Sequence, residues 1–177
     1  MNTLTQKEMT LLQDEKKNEE ICIEKYNKYA SQASDPQLKA LFQELEGKEK
    51  EHLNTINQML SGTVPTMNTS QQKPQFQGMS QSQSTLPQAA TQSLSTMQSQ
   101  AISQAQAQPN ASNSSQSDAY LCTDALSTEK FISSTYNTTI FECKDANMRQ
   151  ALNHIQKEEQ EHGEKIYNYM AQNGMYS

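Results

Sequence analysis

The sequence predicts an all-α protein, an antiparallel four-helix bundle made of two repeated helical hairpins joined by a long disordered crossover. Three observations predict it. Apolar residues step by three and four through both ends of the chain, as helices with one buried face require. The two ends are copies of one another. Between them lies a segment almost free of charge.

The middle segment explains the composition. With 177 residues the chain has room for one average domain, yet only 33% of its residues are apolar and the mean hydropathy is −0.90, low for one compact globule. From Ser61 to Ser117 the only charged residue is Lys73, and Gln, Ser, Thr, Ala and Asn dominate. Residues 1–60 and 118–177 must therefore supply the core, one helical hairpin each. Residues 61–117 are expected to be a disordered Gln/Ser-rich crossover, because the segment has Pro65, Pro74, Pro87 and Pro109 and little to bury.

A shift of 110 residues lays segment 11–60 on segment 121–170 without a gap, with ten identical positions. The identities include Asp14 with Asp124, Glu19 with Glu129, Tyr26 with Tyr136, Asp35 with Asp145, Glu49 with Glu159, His52 with His162 and Ile56 with Ile166. Two copies make a duplication, not a solenoid.

In the first helix Leu12, Glu19, Cys22/Ile23, Tyr26, Tyr29/Ala30 and Ala33 share a face, and in the third Cys122, Ala125/Leu126, Glu129, Ile132, Tyr136, Ile140 and Cys143 are their counterparts. In the second helix Leu38, Leu41/Phe42, Leu45, Glu49, His52, Ile56 and Met59 form an apolar stripe interrupted by a carboxylate and an imidazole. The fourth helix repeats that stripe with Met148, Ala151/Leu152, Ile155, Glu159, His162, Ile166 and Tyr169. Short turns at Ser34-Asp35-Pro36 and Lys144-Asp145-Ala146 make each pair an antiparallel hairpin. Asp35 and Asp145 are good N-caps, and Pro36 suits a first helical turn. The crossover must run the length of the bundle. A helix of about 25 residues is about 38 Å long, and a flexible coil of the crossover's length spans about 40 Å.

Both second helices of the hairpins carry Glu-x-x-His, as Glu49–His52 and Glu159–His162. Residues three apart on a helix lie about 60° apart around its axis, so both side chains reach one centre. Upstream of each motif, at matching positions, stands another seam glutamate, Glu19 or Glu129. Four glutamates and two histidines on four helices form the constellation of carboxylate-bridged dinuclear sites. Oxygen and imidazole donors without thiolate suit two iron or manganese ions. Glu19, Glu49, His52, Glu129, Glu159 and His162 are thus the candidate metal ligands. Glu51 and Glu161 repeat but sit off the seam, and His154 aligns with Glu44 and is left out of the set. Tyr26 and Tyr136 are expected to pack in the seam with a hydroxyl bonded to a ligand carboxylate, the alternative being a redox-active or crosslinking tyrosine near the metals.

With these motifs placed, the arrangement resembles the ferritin-like superfamily and, more closely, the coat F family of spore coat proteins. The opening LTQKEMTLLQDEKKNEE, the turn SDPQLKALFQ and the ending EEQEHGEKIYNYMAQNGMY carry the second likeness. It implies a protein of spore-forming bacteria, made in the mother-cell cytoplasm and deposited in the spore coat. The expected function is that of a structural coat protein with a dinuclear metal site. The alternative is a di-iron or di-manganese oxidoreductase acting on peroxide or O2. Expected partners are other coat proteins and a second copy of the chain in a homodimer.

Other classes are disfavoured. A net charge of −6 argues against a nucleic-acid partner, which needs a basic face. No apolar run nears the roughly 20 residues needed to span a bilayer, and the N-terminus lacks the layout of a secretory signal. Cys22, Cys122 and Cys143 have no CxxC spacing and read as small core residues in a reducing compartment, with crosslinking in an assembly as the alternative.

Overall fold

A computed structural model describes residues 4–63 and 109–176. They form four helices, α1 Gln6–Gln32, α2 Pro36–Leu60, α3 Pro109–Glu142 and α4 Ala146–Gln172. Helices α1 and α2 pair as one antiparallel hairpin and α3 and α4 as the other. Both hairpins belong to one compact unit. Across the seam α1 meets α3, with Asn18 reaching Thr135 and Lys25 reaching Asp124. Helix α2 meets α4, with Glu44 on Lys165 and His52 on Glu158. Both cross-hairpin pairs are antiparallel, so α2 and α3 run parallel, the arrangement that a long crossover permits.

The caps act as their chemistry dictates. Thr5 and Glu8 close a capping box at the start of α1. Asp35 and Asp145 accept from the first-turn amides of α2 and α4, and Pro36 opens α2. Helix α3 begins at Pro109, inside the stretch that the sequence reading gave to the crossover. The disorder expected for that crossover otherwise falls on 64–108, outside the described residues.

The core is the stripe the sequence set out: Leu12, Tyr26, Phe42, Leu45, Ile56 and Met59 from one hairpin, and Tyr136, Met148, Leu152, Ile155 and Ile166 from the other. Tyr26 stacks on Phe42 at 5.8 Å between ring centroids. Cys22, Cys122 and Cys143 are buried and unpaired, as small core residues should be. No helix among the described residues is long and apolar enough to cross a membrane.

The two hairpins exchange a polar clasp that periodicity did not suggest. Glu8 accepts from the backbone N–H of Lys144 at 2.7 Å. Asp118 accepts from those of Ser34 and Asp35 at 2.8 and 3.0 Å. Positions 8 and 118 differ by the repeat shift, as do 34 and 144, so each hairpin's first helix secures the turn of the other.

Candidate metal centre

Halfway along the bundle the helical stripe turns its two polar positions inward on every side. Each Glu-x-x-His sits on a helix whose neighbouring turns are anchored by Leu45 and Ile56 or by Ile155 and Ile166, all at most 1% exposed. The motif has no outward option without exposing that apolar surface. All six sequence-derived candidates are buried, with Glu19, Glu49 and Glu159 at 0% exposure.

They gather into two overlapping groups, Glu19–Glu49–His52–Glu159 and Glu49–Glu129–Glu159–His162, whose donor atoms lie within 4.8 Å of one another. Glu49 and Glu159 belong to both. Nδ1 of His52 faces Glu159 at 2.9 Å, Glu49 at 3.2 Å and Glu19 at 3.7 Å. Nδ1 of His162 faces Glu49 at 3.1 Å, Glu159 at 3.7 Å and Glu129 at 3.8 Å. The imidazoles lie nearly parallel, 5.5 Å apart.

One ring N–H can satisfy one acceptor well, and each of these faces three. Glu19 Oε2, Glu129 Oε2 and both oxygens of Glu159 have no hydrogen-bond partner among the described residues. Glu159 Oε1 is near His52 Nδ1 but makes no hydrogen bond to it. Orphaned buried carboxylate oxygens are costly, and four at one centre require an explanation. Cations supply one. The donor atoms of each group lie close enough together for one ion to reach them all. The charge of four carboxylates also equals that of two divalent ions. The residues present fit the dinuclear group.

Protonation takes over the balancing role when no metal is bound. Burial pushes the Glu19 carboxyl well above its ordinary range, and the charges of Glu159 and Glu49 add to the effect against the attraction of the nearby His52 ring. Burial, then Glu159, does the same to Glu129. Burial opposes ionisation of Glu159, but His162 and His52 outweigh it and hold that carboxyl below its usual range. For His162, burial works against the charged ring, yet Glu159 and Glu49 raise it to about 9. His52 is raised too, burial being overcome by Glu158, Glu159, Glu19 and Glu49.

The surrounding contacts cross between repeats. The Tyr26 hydroxyl donates to Glu129 and that of Tyr136 to Glu19, so each tyrosine orients the seam glutamate of the other hairpin. Glu158, which the sequence reading missed, meets Nε2 of His52 at 3.0 Å and Nε2 of His154 at 3.3 Å. Its partner in the repeat is Lys48, so the duplication gave no signal for it. Glu51 and Glu161 are exposed and pair with Lys48 and Lys157. Glu129 and Glu159 also line a groove of about 540 Å³ between α3 and α4.

Among known families, residues 117–177 match the model of the Coat F domain. That match covers α4 and most of α3, together with Glu129, Glu159 and His162. No curated protein and no solved structure matches the chain.

Proposed function

We propose, from the Coat F domain in the second hairpin, that the chain is a structural protein of the spore coat whose bundle holds two iron or manganese ions. The observation that carries the metal reading is the set of orphaned carboxylate oxygens facing two Nδ1 atoms in a buried seam. Glu19 and His52 would hold one ion, Glu129 and His162 the other, with Glu49 and Glu159 shared between them. Tyr26, Tyr136 and Glu158 orient these groups, as outer partners of metal ligands do. Other coat proteins are the partners that the family suggests.

The coat reading is tested by fractionating purified spores carrying a tagged copy of the chain. The tag is expected in the detergent-and-alkali extract of the coat. A tag confined to the soluble fraction of the sporulating cell contradicts it.

The groove beside Glu129 and Glu159 favours a second reading, an oxidoreductase acting on peroxide or O2. When bound, two iron or manganese ions supply electron exchange with such a molecule. The chain's part is to hold the ions with carboxylates, keep each imidazole's Nδ1 turned inward and exclude bulk water with the apolar turns on either side. Peroxide turnover by the metal-loaded protein, lost in Glu49→Ala, is the expected result for this reading. Activity unchanged in that variant would sink it.

A further inference from the structure

The duplication made the two halves of the centre alike, but the walls around them differ. Between α3 and α4 the groove is lined by Leu126, Glu129, Ser133, Glu159, Gly163 and Tyr167. One repeat earlier, the positions of Gly163 and Ser133 are held by Leu53 and Ile23, both half-buried. Large apolar side chains on α1 and α2 thus answer to a missing side chain and a hydroxymethyl on α3 and α4.

Close packing does not require Gly163. A Cβ built there would meet Leu126 Cδ1 at 3.6 Å and Glu129 Cβ at 3.8 Å, ordinary contact distances. A glycine inside a helix costs about 1 kcal/mol relative to alanine, so the position carries a helix penalty that alanine would remove without a clash. What glycine leaves out is a side chain beside Leu126 and Glu129 on the wall of the groove.

We propose that the α3/α4 groove is the route by which a small uncharged molecule reaches the Glu129–His162 half of the centre, with Gly163 as the opening. This rests on the reading that the cluster holds metal. The occupant's chemistry follows from the lining. Glu129 and Glu159 belong to the lining, and acidic residues there disfavour an anion. Leu126 and the edge-to-face pair Tyr167–Tyr176, 4.9 Å between centroids, present apolar and aromatic walls. Lys130 and Glu164 at the rim bring opposite charges. The volume falls in the range of small-molecule sites and admits anything from a diatomic to one aromatic ring.

The test uses the ferrous protein and nitric oxide, a neutral diatomic that reports binding by absorbance without turnover. Iron content and nitric oxide association rate are measured for the parent, Gly163→Ala, Gly163→Leu and Ser133→Leu, the last narrowing the opposite wall should Gly163→Leu fold poorly. Iron content is expected to be equal throughout. Association is expected to slow modestly in the alanine variant and by about tenfold in the leucine variants. Equal iron with unchanged rates in both leucine variants overturns the groove's role alone. A parent protein that takes up no iron overturns the metal reading and the groove's role with it.

Discussion

His52 and His162 each turn Nδ1 toward three carboxylates, and that crowding is the most informative fact at the scale of single residues. A proton can replace a cation there only imperfectly, which is why the buried oxygens of Glu19, Glu129 and Glu159 remain without partners. The tyrosines follow from the same geometry. Removing a hydroxyl that orients a metal-holding carboxylate commonly weakens metal affinity about 10- to 100-fold. Tyr26→Phe and Tyr136→Phe are therefore expected to lower iron or manganese affinity on that scale, and to destabilise the metal-free protein by about 1–3 kcal/mol because each leaves one more buried carboxylate oxygen without a donor. Competition with a chelator measures the first and a thermal melt the second. Identical affinity in both variants would contradict the orienting role.

Glu15 gives a pH test away from the centre. It is 2% exposed and accepts from Thr139, Thr135 and Asn18. Burial nonetheless raises its carboxyl above the ordinary value, against the lowering effect of those three bonds. A raised carboxyl pKa means the folded state binds the proton more tightly than the unfolded one. Glu15 thus favours folding at low pH, and that contribution is lost as pH rises from the ordinary carboxyl range through the raised value. Relative to Glu15→Gln, the parent is expected to be more stable at pH 4 than it is at pH 7. Urea unfolding at both values measures this, and a pH-independent difference contradicts it. Glu15 was invisible to repeat reasoning because its counterpart is Ala125.

At the scale of elements, the helices were legible because the apolar period, the Asp N-caps and Pro36 all agreed. The candidate cluster was legible for a related reason: each Glu-x-x-His occupies positions of the buried stripe, so its side chains cannot face solvent. Where α3 starts was not legible. Pro109 suits a first helical position, but the polar residues that follow offer no periodic stripe to announce a helix. The clasp of Glu8 and Asp118 was missed for another reason. Each acts on a turn far away in sequence, and glutamate does not align by identity with aspartate. Glu8→Ala removes both half of a capping box and the acceptor for the Lys144 amide. A loss of about 1–2 kcal/mol is expected in urea unfolding, with a similar loss for Asp118→Ala. No loss in either variant would show the clasp to be idle.

Across the whole molecule, the duplication is visible as crossed contacts: Tyr26 to Glu129 and Tyr136 to Glu19, Glu49 with His162 and His52 with Glu159, Glu8 to Lys144 and Asp118 to Ser34. Each hairpin completes the other, so neither holds the full cluster alone. Two departures from symmetry lie beside the centre, where Glu158 answers to Lys48 and Gly163 to Leu53 in the repeat. Sequence comparison within the chain finds what the copies share. It passes over such differences, whose meaning depends on what each position faces in space.

Six buried residues with four carboxylates and two imidazoles have the donors to hold two metal ions. Elemental analysis of the protein loaded anaerobically with iron or manganese, beside a Glu49→Gln/Glu159→Gln variant whose helicity is checked by circular dichroism, tests it most directly. About two ions per chain, lost in an equally helical variant, is the result expected. Parent protein that remains free of metal, or a variant that retains the full complement, would contradict it.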